Sequence, residues 1–213
     1  MPRSAAHLVP IHPTWESMRD AAVGCRACDL WKRGTQTVFG EGTANARLMF
    51  VGEQPGNEED LMGHPFVGPA GRFLNKALLE AGIDRNLAYV TNVVKHFKWE
   101  PRGKRRIHAK PSSVEIAACR PWLDAELELI HPRVLVCLGA TAAQALLGRQ
   151  FRVTRHRGQW VESPLAPYVM ATVHPSSILR APDSETRHAE TARFLSDLRV
   201  VKSALAVQTR KAR

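Results

Sequence analysis

Four short apolar runs recur along the chain, and each ends at a glycine or at a polar residue. They cover residues 47–52, 88–94, 133–138 and 168–173. Runs of this length are typical of buried strands. Apolar positions at helical spacing lie between and after them, and they predict helices over residues 70–81, 112–130, 140–147 and 184–207. The alternation of strand, turn and helix predicts an α/β protein built on a parallel sheet.

The ends of the chain and one internal stretch depart from this alternation. Residues 1–13 contain three prolines and no periodicity, which predicts a loose or extended lead-in. Thr14 is placed to cap a short helix up to residue 23. Residues 95–111 read as a long irregular loop, and loops of that length in compact domains are usually functional. We therefore expect one folded domain over residues 14–207, followed by a basic tail over 208–213.

Composition narrows the class of protein. A chain of 213 residues with 44% hydrophobic content is long enough for one compact domain without crosslinks. The sequence lacks both a membrane-length apolar run and the pattern of a signal peptide, so a cytoplasmic location is expected. Lys and Arg outnumber Asp and Glu by 30 to 20, for a formal net charge of +10. This charge attracts polyanions and favours nucleic acid as the partner.

Polar side chains follow three of the four predicted strands. Glu53 and Gln54 come after the first, Asn92 lies near the carboxyl end of the second, and His174 follows the fourth. The carboxyl ends of parallel strands share one edge of a sheet, where ligands bind, so these residues are candidates for one site. The alternatives are a solvated turn for Glu53 and a structural role for His174. The convergence of the strand ends favours an enzyme site.

The four cysteines suggest a metal centre. Cys25 and Cys28 form a C-x-x-C pair, whereas Cys119 and Cys137 are separated by 17 residues. A structural disulfide is disfavoured in a cytoplasmic protein, and four sulfurs suit zinc or an iron–sulfur cluster. Cys137 lies within an apolar run, so a buried, chemically silent thiol is an equal alternative there.

Short motifs in a fixed order carry a family resemblance. They are GEQPG, PFVGPAG, TNVVK and HPSSILR, at residues 52–56, 65–71, 91–95 and 174–180. With the cysteines, they resemble the uracil-DNA glycosylase superfamily in its iron–sulfur family 4 branch. Family 4 usually has Ala in place of Gln54 and lacks the insertion GKRRIHAK at 103–110. Both departures are similar to the UdgX-type branch, in which a histidine of this loop becomes joined to DNA. In contrast, no nucleotide-binding glycine fingerprint follows a strand.

The resemblance implies a fold and a cofactor. The fold is a single-domain three-layer sandwich with a four-stranded parallel sheet flanked by helices. The cofactor is a structural [4Fe-4S] cluster held by Cys25, Cys28, Cys119 and Cys137. The partner is uracil-containing DNA, either single-stranded or with the uracil flipped from a duplex. We expect a monomer that is associated with the nucleoid through DNA.

The resemblance also implies roles for the site residues. Phe66 would stack on uracil, Asn92 would read its hydrogen-bonding edge, and His174 would bind O2 as negative charge develops there. Gln54 is placed in the same pocket. The residues implied to contact DNA are Lys104, Arg105, Ser176 and Ser177.

His108 is the implied nucleophile. Glu53 would orient its ring, and Arg106 would fix its approach to the sugar. Without the resemblance, a phosphate contact in a basic loop would be the simpler role for His108. The leading hypothesis is therefore a protein that excises uracil and traps the abasic site on His108. The alternatives are a turnover glycosylase and a noncatalytic DNA-binding module.

Overall fold

A computed structural model of the protein describes residues 4–206. Its strands are β1 (Leu48–Gly52), β2 (Ala88–Asn92), β3 (Trp99–Arg102), β4 (Arg105–His108), β5 (Val134–Leu138), β6 (Trp160–Val161) and β7 (Tyr168–Thr172). Its helices are α1 (Trp15–Val23), α2 (Asn57–Met62), α3 (Pro69–Ala81), α4 (Ser113–Ile130), α5 (Ala140–Leu147), α6 (Val153–His156), α7 (Pro175–Leu179) and α8 (Ser184–Ala206). Short 3-10 helices cover Ala5–Leu8, Asp29–Lys32 and Arg85–Leu87. The predicted alternation of strands and helices is confirmed.

The central sheet has five strands in the order β2-β1-β5-β7-β6, so the prediction of four strands is wrong. The four predicted strands are present and parallel to one another. The fifth, β6, is antiparallel to β7 and contains only two residues. A strand this short produces no apolar run, which is why the hydrophobic pattern did not reveal it. The sheet is therefore mixed, although mostly parallel.

Alternating side chains of the strands face two layers of helices. On one face, Met49 and Leu135 belong to a core that includes Trp122 and Leu123 of α4. On the other face, Phe50 belongs to a core with residues of α3 and α8. This alternation places helices on both sides of the sheet and confirms the three-layer, single-domain architecture.

The N-terminal segment is more ordered than an extended lead-in. Ala5–Leu8 form a 3-10 helix, and Ala5 is fully buried in the core of which α4 is part. Thr14 caps α1 as predicted, through a reciprocal hydrogen-bonded pair with Ser17. The tail predicted over residues 208–213 lies outside the described residues. Across residues 4–206, none of the helices combines the length and apolarity that a membrane crossing needs.

The segment predicted as an irregular loop over residues 95–111 contains a β-hairpin. Strands β3 and β4 pair antiparallel, with Trp99 opposite His108, and Gly103 makes the turn with a φ of +59°. Both strands lie on the surface and consist mostly of charged residues, so they lack the apolar run that identifies a buried strand. The indole N–H of Trp99 donates to the Arg33 carbonyl at 3.0 Å, which fastens the hairpin to the rest of the domain.

A buried ion pair joins the sheet to α4. Lys95 follows β2, and its Nζ lies 2.5 Å from Glu126 Oε2, with both side chains almost fully buried. The ammonium group also donates to Thr91 Oγ1 at 2.6 Å and to the Asn92 carbonyl at 2.8 Å. Glu126 Oε1 in turn accepts hydrogen bonds from the Tyr89 hydroxyl and the Thr91 hydroxyl, each at 2.9 Å. Both buried charges are thus paired and hydrogen-bonded.

Because removing one partner leaves a buried charge without compensation, Glu126→Gln should lower the free energy of unfolding by about 3–5 kcal/mol. Glu128→Gln, at an exposed position of the same helix, is the matched control and should change it by less than about 0.5 kcal/mol. Urea unfolding followed by circular dichroism measures both. A loss below about 1 kcal/mol for Glu126→Gln would contradict the importance given to this pair.

Candidate active site

A cavity of about 900 Å³ opens at the carboxyl ends of the parallel strands. The sequence-predicted residues that line it are Glu53, Gln54, Phe66, Asn92, His108, His174 and Ser176. Their convergence follows from topology, because β1, β2, β5 and β7 all end at this edge. The predicted site is therefore a real cavity, and the hairpin supplies part of its wall through Ile107 and His108.

Asn92 and Phe66 form the inner part of the cavity around Gly52. Asn92 is 3% exposed, and its side-chain amide has no hydrogen-bond partner within residues 4–206. A Cβ atom at position 52 would collide with Asn92 Oδ1 and lie 2.9 Å from Phe66 Cζ. Glycine is therefore required at this point for the close approach of Asn92 and Phe66. The unpaired amide and the ring suit the recognition of a flat, polar ligand.

Phe66 adopts an unusual backbone conformation. Its φ is +58°, a region that bulky residues rarely occupy. Gly71 of α3 packs against the Phe66 carbonyl so closely that any Cβ there would collide with it. The ring lies 6.4 Å from the His174 ring, centroid to centroid. The strained backbone thus places an aromatic surface beside the histidine, a pattern that is common at functional sites.

His174 presents a proton donor to the cavity. Its Nδ1 accepts a hydrogen bond from the backbone N–H of Ser176 at 3.2 Å. An N–H only donates, so the proton of the neutral ring resides on Nε2. Burial lowers the pKa of His174 to about 4, and the positive charge of Arg180 and the nearby His108 ring lower it further. The ring is therefore neutral near pH 7 and offers Nε2–H as its only donor.

Glu53 and His108 face each other across the cavity mouth. His108 Nε2 lies 3.4 Å from Glu53 Oε1, and 48% of the His108 side chain is exposed. The hydroxyl of Thr141, in α5, donates to Glu53 Oε2 and fixes the carboxylate. Partial burial lowers the pKa of His108, Glu53 opposes this shift, and Arg180 adds to it. The result is a neutral imidazole beside a fixed carboxylate.

Gln54 fastens the hairpin. Its Oε1 accepts from the Lys98 backbone N–H at 3.1 Å, and its Nε2 donates to the carbonyls of Lys98 and Ala109 at 3.0 and 3.1 Å. Both donors and an acceptor of the amide are therefore occupied by the two ends of the hairpin. Gln54 therefore lines the cavity with its amide engaged by the hairpin that carries His108.

Arg106 also anchors the hairpin, from outside the cavity lining. Its Nη1 lies 2.6 Å from the fully buried Asp60, and its Nε donates to Asn57 Oδ1 at 2.7 Å. The guanidinium lies 5.5 Å from the Phe97 ring centroid and 5.6 Å from that of Trp99. These contacts anchor the strand that also carries His108.

The predicted DNA-contacting residues fall into two groups. Lys104 and Arg105 are exposed at the hairpin turn, with no ion-pair partner within residues 4–206. The hydroxyls of Ser176 and Ser177 are engaged with His174, the first with its Nδ1 and the second with its carbonyl, each at 2.7 Å. Lys104 and Arg105 are therefore available to bind phosphates, whereas Ser176 and Ser177 stabilise the loop around His174.

Three of the four cysteines come together. The pKa of Cys119 is raised to about 12, mainly by burial, and the nearby Cys28 and Cys25 contribute to the increase. The pKa of Cys28 is likewise raised by burial and by Cys25. For Cys137, whose pKa is also about 12, burial is the one cause. The structure does not bring Cys137 to the other three thiols. Within residues 4–206, no three His, Cys, Asp or Glu side chains are arranged to hold a single metal ion.

Thr141 and Arg180 line the cavity, although no role had been predicted for either. Thr141 follows the turn after β5, a strand end to which no polar residue had been assigned. Arg180 closes the HPSSILR motif, lines the cavity, and acts on both histidines through its charge. Among the basic residues at 149–157, Arg157 is paired with Glu190 and Asp197 of α8, at 2.5 and 2.8 Å, so this arginine is structural.

Comparison with known proteins assigns the chain to a family. The family described as the Uracil DNA glycosylase superfamily matches residues 39–199. A Type-4 uracil-DNA glycosylase of Thermotoga maritima is 41% identical over 84% of this chain and 88% of its own length. A Type-4 uracil-DNA glycosylase of Archaeoglobus fulgidus is 36% identical over 83% of this chain and 88% of its own length. A Type-5 uracil-DNA glycosylase of Thermus thermophilus is 31% identical over 81% of this chain and 83% of its own length. From this match and the cavity at its strand ends, we conclude that the chain belongs to the uracil-DNA glycosylase superfamily.

Proposed function

We propose that the protein excises uracil from DNA and then becomes covalently bound to the resulting abasic site through His108. Excision follows from membership of the superfamily and from similarity to proteins named uracil-DNA glycosylases. The observation that carries the trapping step is the position of His108 Nε2, 3.4 Å from Glu53 at the mouth of the cavity.

Recognition of uracil uses the inner wall of the cavity. A base stacked in DNA is out of reach, so the nucleotide is flipped into the pocket at a cost of a few kcal/mol. Phe66 provides a stacking surface, and the unpaired amide of Asn92 offers one donor face and one acceptor. Uracil O4 accepts from the Asn92 amide N–H, and uracil N3–H donates to the amide oxygen. In cytosine an amino group replaces O4, so that two donors would face each other. The pocket therefore favours uracil over cytosine.

Departure of uracil depends on His174. When the bond between C1′ and N1 breaks, its electron pair remains on the base and increases the negative charge at O2. The neutral His174 ring donates its Nε2–H to that oxygen, since Nδ1 is already occupied by Ser176. The sugar is left as a positively charged oxocarbenium ion, which the carboxylate of Glu53 stabilises.

Trapping follows when His108 reaches the sugar. In the proposed step the reacting lone pair is that of Nε2, the ring nitrogen that lies 3.4 Å from Glu53 at the cavity mouth, and the proton of the neutral ring is on Nδ1. That lone pair forms a bond to C1′, and the alkylated ring then loses its Nδ1 proton to water. A ring held by the hairpin has a far higher effective concentration than a loosely held water molecule. The product is a stable N-glycosidic bond, so each protein molecule reacts once.

The remaining parts of the proposal concern DNA and the cofactor. The exposed Lys104 and Arg105 are placed to bind phosphates, in keeping with the net charge of +10. Cys25, Cys28 and Cys119 would hold an iron–sulfur cluster, which ties the N-terminal segment to α4. Such a cluster supplies structural support rather than reactive chemistry at the cavity. We further propose that the protein acts as a monomer, in the cytoplasm and on the nucleoid.

A turnover glycosylase is the second candidate, because Glu53 is also placed to orient a water molecule toward C1′. The two functions differ in one measurable property. A trapping protein releases at most one uracil per molecule, whereas a turnover enzyme continues. A protein that binds DNA and releases no uracil would instead be a noncatalytic module.

His108→Gly should abolish the complex that survives heat and denaturant on a gel of protein mixed with uracil-containing DNA. Because the shorter side chain admits water to C1′, uracil release should continue beyond one equivalent. His64→Gly, which removes a histidine outside the cavity, is the matched control and should crosslink like the wild type. Persistent crosslinking by His108→Gly would contradict the proposed nucleophile.

Trapping should also depend on pH with a defined sign. The lowered pKa of His108 leaves Nε2 unprotonated above that pKa, so the rate of adduct formation should be full near pH 7 and fall in acid. Arg180→Gln removes a positive charge that lowers this pKa, and should move the midpoint to higher pH. Uracil release by His108→Gly provides the reference for the excision step. An equal rate of adduct formation at all pH values would contradict this assignment.

Gln54→Ala should separate trapping from excision. The variant loses the three hydrogen bonds at the base of the hairpin, and a displacement of about 1 Å is enough to slow a reaction about 100-fold. Adduct formation should therefore slow about 10- to 100-fold, with uracil excision less affected. Gln144→Ala, at a glutamine of α5 outside the cavity lining, is the control. Equal slowing of both steps would show that Gln54 acts on uracil itself.

A further inference from the structure

The thiol set predicted for the cluster is one ligand short. A [4Fe-4S] cluster takes four protein ligands. Trp122, one turn after Cys119 on α4, donates its indole N–H to Cys25 Sγ at 3.4 Å, and Cys25, Cys28 and Cys119 are the cysteines that act on one another's charge. Cys137 lies in the middle of the sheet, in register with Val51 of β1 and with Ala171 of β7. A fourth donor must therefore come from elsewhere in the chain.

His96 adjoins the segments that carry Cys119 and Cys28. It directly follows Lys95, whose backbone N–H donates to Cys119 Sγ at 3.3 Å. A Cβ atom on Gly34 would lie 3.5 Å from His96 Cδ2 and 3.4 Å from the Leu30 carbonyl oxygen. The imidazole thus adjoins the turn in which the backbone of Leu30 binds the Cys28 sulfur. At 4% exposure, the ring is buried.

A third link connects His96 to the segment of Cys25 and fixes its tautomer. The Thr37 hydroxyl donates to the Ala22 carbonyl at 2.9 Å, and that carbonyl also accepts from the Cys25 N–H at 3.0 Å. A hydroxyl has one proton, so Thr37 must accept from His96 Nε2–H, 3.0 Å away. Nδ1 then carries the lone pair, and it has no hydrogen-bond partner within residues 4–206.

We propose that His96 is the fourth ligand of the cluster, through Nδ1, and that Cys137 is a core residue with no part in it. The inference rests on the iron–sulfur cluster of the proposed function. A metal-bound histidine whose other N–H is held by a fixed acceptor is the usual arrangement, and Thr37 is that acceptor here. Three thiolates and one neutral imidazole carry one negative charge fewer than four thiolates. The reduction potential should therefore be higher than that of an all-cysteine cluster.

Spectroscopy of the unaltered protein tests the ligand directly. Protein purified without oxygen should contain iron and sulfide in equal amounts. After chemical reduction, electron–nuclear double resonance should detect a nitrogen coupled strongly to the cluster, and labelling histidine with ¹⁵N should change that signal. A cluster with no strongly coupled histidine nitrogen would overturn the proposal.

Variants give an independent measure. Cys137→Ala should keep its iron, sulfide and visible absorption, whereas Cys119→Ala and His96→Ala should lose them. His96→Cys, which supplies a thiolate at the same position, should retain the cluster with a more negative reduction potential and without the nitrogen signal. Cluster loss in Cys137→Ala together with retention in His96→Ala would contradict the assignment.

The same preparations separate this inference from the proposed function. Iron and sulfide missing from the wild type would contradict the cluster itself, and hence the inference. Formation of the denaturant-resistant DNA complex is scored independently on each variant. A wild type that holds a nitrogen-free cluster and still traps DNA would leave the proposed function standing and reject His96 alone.

Discussion

The buried ion pair between Lys95 and Glu126 is the interaction on which the two functional regions of the molecule depend. On one side, the Lys95 ammonium group binds the carbonyl of Asn92 and so fixes the end of β2 at the inner wall of the cavity. On the other, the backbone N–H of the same residue binds Cys119. Because each charge is fully removed from water, the pair is stable only with all its partners in place. A single residue thus couples the order of the base pocket to the order of the cysteine site.

Two neutral imidazoles divide the chemistry of the cavity. His174 is buried with Nδ1 occupied and offers Nε2–H to the cavity, whereas His108 stands half exposed with Nε2 3.4 Å from Glu53. Burial and the charge of Arg180 keep both rings unprotonated near pH 7. The hairpin contributes Ile107 and His108 to the wall of this cavity. Gln54 fixes its base and Arg106 fixes its second strand, so that the His108 ring is held at the mouth of the cavity.

Much of the fold could be predicted from the sequence, because four parallel strands buried on both faces read as continuous apolar runs. The two-residue β6 and the exposed hairpin could not, since neither produces such a run. Strand ends predicted that Glu53, Asn92 and His174 would lie together, because topology alone brings them to one cavity. Residue type could not predict the contacts that Gln54 makes with the hairpin or the burial of Cys137 within the sheet. The proposed ligand His96 has no motif that marks it, because only the fold brings it near the cysteine-bearing segments.

The central claim is that the bond to DNA forms at His108, and peptide mapping of the adduct tests it most directly. Wild-type protein would be reacted with uracil-containing DNA, digested with protease and nuclease, and analysed by tandem mass spectrometry. The account predicts that one peptide, the one containing His108, gains the mass of the sugar-phosphate, with fragment ions that place it on the histidine. Attachment at any other residue, such as Lys104 or Lys110 of the same segment, would contradict it.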